Sequence, residues 1–163
     1  MRIGLISDTH GQRDRTRGAV RSLVDGGAAV LIHCGDLVGP GIVDLFADLP
    51  TYFVFGNNDD GYTHEIAAAI SDLGHSNCLG WGGEIVLDGK RFAVTHGHSL
   101  REVSRLLRTG PDYLLSGHSH IAADWREGVT RRINPGALHR AASFSVALLD
   151  TGDDTLKFVD VAR

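Results

Sequence analysis

The sequence predicts an α/β fold in which two β-sheets pack face to face with helices outside. Three observations predict it. Short apolar strands alternate with amphipathic helices through the first half. The second half is a run of strands interrupted by one helix. No linker, internal repeat or low-complexity segment divides the 163 residues, so residues 1–163 are expected to form one domain.

The elements follow in order. Ile3–Ser7 is a short apolar run, and the stretch after it carries Val20, Leu23 and Val24 on one helical face. Val30–Cys34 is a second buried strand, followed by a helix with Ile42, Val43, Leu45, Phe46 and Leu49. Tyr52–Phe55 is a third, followed by a helix bearing Ile66, Ala67, Ile70 and Leu73. Nearly continuous apolar strands alternating with helices imply a parallel sheet covered by helices. Asp88–Gly89 between Glu84–Leu87 and Arg91–Thr95 is a two-residue hairpin signal. A helix between Leu100 and Arg108 shows Val103, Leu106 and Leu107 on one face. Tyr113–Ser116, Ala122–Glu127, Thr130–Asn134, Phe144–Leu149 and Leu156–Val161 complete a second sheet richer in antiparallel pairs.

Composition excludes several classes. Apolar residues make up 42% and charged residues 22%, which is globular rather than disordered. A net charge of −4 argues against stable nucleic-acid binding, and Arg131–Arg132 is expected to be a solvated strand edge. Two cysteines, Cys34 and Cys78, make no disulfide framework, and no apolar segment approaches membrane-spanning length. The first strand leaves no room for a signal peptide, so a cytoplasmic location is expected. Trp81 and Trp125 are expected in core or interface; with the late antiparallel edge, Trp81 is a candidate homodimer contact.

Chemistry concentrates in five clusters: Asp8 and His10, Asp36, Asn57, His96, and His118 with His120. Most follow an apolar strand, where ligands gather in open α/β sheets. Two carboxylates, four imidazoles and a carboxamide exceed one ordinary site and suit two divalent cations sharing a ligand. Asp8 and His10, two apart, would point the same way in an extended segment. His118 and His120 could do likewise, or split between two ions across a tight turn. Oxygen and imidazole donors without thiolate suit Mn²⁺, with Zn²⁺, Fe or Ni²⁺ as alternatives. Two aspartates and two divalent ions leave a charge of about +2, attractive to a phosphoester. Gly4, Gly11, Gly35, Gly56, Gly97 and Gly117 would let backbone approach the ions. Singly, each cluster has a plainer reading. Asp8 and Asp36 could cap helices, and Gly56–Asp60 could be only a turn. The five together at strand ends are harder to dismiss. Of the remaining histidines, His64 and His75 are expected in solvent, His33 in the core supporting Asp36, and His139 in a loop.

In order the clusters are Asp8-Thr9-His10, Gly35-Asp36, Gly56-Asn57-Asn58-Asp59, Thr95-His96-Gly97-His98 and Gly117-His118-Ser119-His120. This set resembles the calcineurin-like metallophosphoesterase superfamily. Within it, the chain looks like the small bacterial and archaeal phosphodiesterases related to the retromer scaffold subunit. Asn134-Pro135-Gly136-Ala137 is similar to that subgroup's Asn-Pro-Gly-Ser segment. The resemblance implies a four-layer α-β-β-α sandwich of two mixed sheets. It implies one ion on Asp8, His10 and His120, another on Asn57, His96 and His118, and Asp36 bridging. Asp36, Asn57 and His96 would also carry catalysis, with Asn58 and His98 meeting substrate. The implied function is phosphodiester hydrolysis by a hydroxide bridging the two metal ions. Many members carry histidine where this chain has Asn58, which cannot supply an acidic proton. The alternatives are a phosphomonoesterase acting on a nucleotide or sugar phosphate, and a non-catalytic protein-interaction scaffold.

Overall fold

A computed structural model describes residues 1–162. Its first sheet is ordered β11-β10-β1-β2-β3-β4, with strands β1 (Arg2–Ile6), β2 (Val30–His33), β3 (Thr51–Phe53), β4 (Asn77–Cys78), β10 (Ser145–Asp150) and β11 (Thr155–Asp160). From β1 to β4 the pairs are parallel, while β10 and β11 join antiparallel. The second sheet is ordered β5-β6-β7-β9-β8, from β5 (Gly82–Leu87), β6 (Lys90–Thr95), β7 (Tyr113–Leu115), β8 (Ala123–Glu127) and β9 (Thr130–Asn134). It is also mixed: β6, β7 and β9 run parallel, and β5 and β8 pair antiparallel. The hairpin sits at Asp88–Gly89, both at positive φ (51° and 73°), as a two-residue connection requires.

Alternation along the strands builds three cores. Ile3 and Leu5 face Phe92, Val94 and Leu115 across the space between the sheets. Ile6, Leu31 and Phe53 face outward, under α1 (Arg13–Asp25), a 3₁₀ helix (Pro40–Phe46) and α2 (Thr63–Asp72). Ala93 and Leu114 face α3 (Leu100–Leu107) through Val103 and Leu106. Helix, sheet, sheet, helix is the resulting order, and it explains why the inner strands are apolar on both faces.

Several expectations need correction. The second helix is a 3₁₀ helix ending at Phe46, so Leu49 packs from the following turn. On α1 the buried face is Thr16, Ala19, Val20 and Leu23, and Val24 is 36% exposed at its margin. Gly4 serves packing rather than an ion: a Cβ there would lie 2.6 Å from Leu31 Cδ2 and 3.0 Å from Leu23 Cδ1, so its absence lets α1 settle on β1. Arg131 and Arg132 are on an interior strand, not a solvated edge. Arg131 pairs with Asp124 and Asp154, and Arg132 with Glu127, so no free basic stripe exists there.

Phe53 is fully buried, its ring 5.2 Å from Phe46 and 5.9 Å from His33. Truncating it to alanine should cost about 3–5 kcal/mol, read as a lower urea midpoint with unchanged slope.

Candidate metal centre

The carboxyl ends of β1, β2, β6 and β7 meet at one edge, where the two sheets are stitched together. Asp8 N–H donates to Gly35 O (3.0 Å), His10 N–H to Asp36 O (3.0 Å) and Gly117 N–H to His96 O (2.9 Å). These bonds tie neighbouring strand ends within each sheet, and the ligand-bearing turns then join the sheets to each other: His118 N–H donates to Asp8 Oδ2 (3.1 Å) and His96 Nδ1 lies 2.8 Å from Cys34 O. These turns are left-handed. Asp8, His10, Asp36, His118 and His120 have φ of 53°, 42°, 60°, 68° and 58°. Such conformations cost non-glycine residues of order 1–3 kcal/mol each and persist only when their surroundings impose them. Asp8 and His10 therefore converge through a tight turn, not through the extended segment expected from their spacing. Neither Asp8 nor Asp36 caps a helix; the residues before the two following helices are Gln12 and Gly39.

Both carboxylates are buried, and each is held so that one oxygen faces imidazoles. Asp8 Oδ2 accepts from Ser7 Oγ (2.7 Å) and from the His118 N–H (3.1 Å). Its Oδ1 has no hydrogen-bond partner and lies 3.0 Å from His120 Nε2 and 3.9 Å from both His10 Nε2 and His96 Nε2. Asp36 Oδ2 sits between His10 Nε2 (3.2 Å) and His96 Nε2 (3.3 Å). Burial would raise the Asp36 pKa, but the His10 and His96 imidazoles beside it and the hydrogen bonds from Asn58 hold it well below the usual carboxylate range.

The imidazole tautomers sharpen the picture. His96 Nδ1 is 2.8 Å from Cys34 O, so Nδ1 carries the proton and donates, and Nε2 presents a lone pair to Asp36. His120 does the same through Nδ1 to Arg140 O (3.3 Å). Lone pairs of nitrogen and carboxylate oxygen then point at one another in a buried space. Only a cation between them reconciles this, either a proton or a metal ion. Asp8 Oδ1, His10 Nε2 and His96 Nε2 are the buried polar atoms left unpartnered here. Two groupings have their ligand atoms within 4.8 Å of one another: Asp8, His10 and His120, and Asp8, Asp36 and His96. The donor set fits divalent metals.

The other sequence-derived candidates distribute unevenly. His118 is exposed, its ring 5.2 Å from that of His96, so His118 and His120 split across their turn. Asn57 is exposed. Its neighbour Asn58 is the residue that reaches Asp36, donating from its backbone N–H to Oδ1 (2.9 Å) and from Nδ2 to Oδ2 (2.7 Å). His98 adjoins both His96 and His118, with ring centroids 5.5 and 6.2 Å away, and its buried Nδ1 is unpartnered. His139 belongs to its loop as expected, yet its ring also lies 4.7 Å from that of His10.

Three supporting residues complete the edge. Asp59 is fully buried and accepts from the backbone N–H of Asp36 (2.9 Å), Val38 (2.7 Å) and Gly56 (2.8 Å), binding the two loops together. Its spacing fitted a plain turn, so its role was not legible. Asn134 ties the histidine loop through Nδ2 to Gly117 O (2.7 Å) and Ser119 Oγ (3.0 Å). His33 accepts from Gly35 N–H at Nδ1 (3.1 Å), leaving Nε2–H for Thr9 Oγ1 (3.0 Å), whose hydroxyl bonds Asp36 O (3.4 Å). Burial, with His96 adding to it, pushes the His33 pKa down to about 3.

A family model for the calcineurin-like phosphoesterase superfamily domain matches residues 1–154. The chain belongs to the calcineurin-like phosphoesterase superfamily. Among superfamily members, it is 29% identical over 139 residues to the Methanocaldococcus jannaschii phosphodiesterase MJ0936, covering 83% of each chain. The solved structure of an archaeal phosphodiesterase superposes with a TM-score of 0.89 at 25% identity, covering 98% of this chain and 99% of that one. The E. coli phosphoesterase YfcE shares the fold, with a TM-score of 0.72 at 21% identity over 99% of this chain and 100% of that one. Superfamily membership supports a phosphoesterase and metal-binding hydrolase and implies divalent metals, for which this edge holds candidate ligands.

Two outcomes test the centre. A Cβ on Gly117 would collide with Ser7 Oγ and lie 2.5 Å from Asp8 Oδ2. Gly117→Ala should weaken divalent-ion affinity by about 10- to 100-fold in calorimetry while far-UV dichroism is retained. His33 has a folded pKa below its unfolded one, so its contribution to stability is full above pH about 6.5. That contribution is lost as pH falls toward 3, by up to about 1.4 kcal/mol per pH unit. Urea midpoints of metal-free protein should fall more steeply below pH 6.5 than those of His33→Asn.

Proposed function

We propose that this chain is a metal-dependent phosphodiesterase working with two divalent ions, Mn²⁺ by preference over Zn²⁺, Fe or Ni²⁺. One observation supports it above the rest: the unpartnered Oδ1 of buried Asp8 and the Oδ2 of buried Asp36 face Nε2 of His10, His96 and His120. Asp8, His10 and His120 would hold one ion, and His96, His118 and Asn57 the other, with Asp36 shared. Bound there, the ions would lower the pKa of a water and neutralise the charge on the phosphate oxygens.

The remaining work falls to the chain. Asp36 keeps its carboxylate ionised because Asn58 donates to both of its oxygens and two imidazoles lie beside it. Cys34 O and Arg140 O fix two imidazoles with Nε2 toward the centre. Asn57 and His118 are exposed, on the side open to a substrate phosphate. Asn58 favours diesters with good leaving groups, because an amide has no acidic proton and its N–H is engaged by Asp36. A dianionic monoester with an alkoxide leaving group needs a general acid that this position does not supply.

The proposed ligand is a small phosphoester in the cytoplasm. Cys34 and Cys78 are free thiols, and among the described residues no helix is long and apolar enough to cross a membrane. Metal-stripped protein should lose turnover of bis-p-nitrophenyl phosphate and regain it on adding Mn²⁺. Asp36→Asn should lower kcat/KM by about 100-fold or more. Turnover indifferent to both changes would overturn the proposal.

A further inference from the structure

Trp81 is 41% exposed, although nothing in the metal centre requires a large ring beside it. Its surroundings connect it to that centre. The indole lies 6.0 Å from the His98 ring and 5.5 Å from the Phe55 ring, both edge to face. His98 in turn adjoins the rings of His96 and His118. The backbone is pinned on both sides to ligand-bearing segments. Thr95 Oγ1, next to His96, donates to Trp81 O (3.3 Å), and Phe55 N–H, two residues before Asn57, donates to Gly80 O (2.8 Å).

The other tryptophan makes a useful contrast. Trp125 is similarly exposed at 39%, but its ring is capped by the Arg132 guanidinium 4.7 Å away. Trp81 has aromatic rings behind it and retains open surface. Beside His10 and His120 the neighbours are instead the His139 ring and the Arg140 carbonyl. A diester bound at the centre would thus meet an aromatic wall on the His98 side.

We propose that Trp81, backed by Phe55 and His98, is the surface on which a planar aromatic substituent of the phosphodiester stacks. The site would then favour diesters bearing an aryl group or a nucleobase over purely alkyl ones. This rests on the phosphodiesterase reading above and adds the substrate class. An aromatic face recognises any flat ring, and stacking on such a face is worth about 1–3 kcal/mol per base. Trp81 is a positioning residue here, acting on the part of the substrate that does not react.

The experiment holds the leaving group constant. p-Nitrophenyl phenyl phosphate, thymidine 5′-p-nitrophenyl phosphate and p-nitrophenyl methyl phosphate all release p-nitrophenolate from the Mn²⁺-loaded protein. The native chain should prefer the first two, and Trp81→Ala should cut that preference about 10-fold, mainly through KM. Trp81→Phe should restore most of it. A second readout needs no turnover. In a Trp125→Phe background, phenylphosphonate should quench the remaining tryptophan fluorescence at lower concentration than methylphosphonate does. An equal effect of Trp81→Ala on all three diesters, or equal quenching by the two phosphonates, would overturn the stacking surface. If the native chain hydrolyses none of the diesters, the phosphodiesterase reading falls, and the quenching comparison alone decides the role of Trp81.

Discussion

Two buried carboxylates aimed at a group of imidazoles across the seam between two sheets set the terms for this structure. Asp8 comes from the end of β1, Asp36 from the end of β2, and His96 from the end of β6, so the pairing joins elements far apart in sequence. Bringing like charges and lone pairs together in a buried space is unfavourable unless a cation lies among them. The surrounding hydrogen bonds serve that end. Ser7 and the His118 amide hold one oxygen of Asp8, leaving the other free. Asp59 clamps the loop that carries Asp36 to the loop that carries Asn58.

The packing beneath explains how such an edge stays in place. Three apolar layers immobilise the strands that deliver the ligands, and the crossing points admit no extra atoms. A Cβ on Gly56 would run into the Asp36 carboxylate, just as one on Gly117 would reach Ser7 and Asp8. Gly35 combines a φ of 94° with contacts to Gly56 N and His96 that a side chain would bring to 2.9 Å. The precision of the site comes from strand ends and close backbone approach rather than from long, adaptable side chains.

Much of this was legible in the sequence because the signals were local. Apolar runs marked the longer strands, Asp88–Gly89 marked the hairpin, and the ordered clusters marked the edge. What escaped depends on long-range partners. The two-residue β4, Asn77–Cys78, is a strand only because β3 lies beside it. Pro40 starts a helix whose 3₁₀ character no apolar spacing revealed. Asp59 resembled any turn aspartate until three amides from two loops converged on it. Asn58, next to the expected ligand Asn57, turned out to be the partner of Asp36, a contact across the chain that residue type does not reveal. The extended reading of Asp8 and His10 failed because both lie on left-handed backbone.

Five of these side chains sit on left-handed backbone, and two of the same group are buried acids, one of them, Asp8, with an unmatched oxygen. Geometry of this kind is a standing thermodynamic debt, tolerated for the sake of reactivity. A descendant freed from catalysis would gain robustness by exchanging these residues for glycine, asparagine or apolar ones, and the sandwich beneath would survive the exchange. Erosion toward an inert scaffold is therefore energetically downhill for this architecture, and keeping the full set requires continuous selection for chemistry.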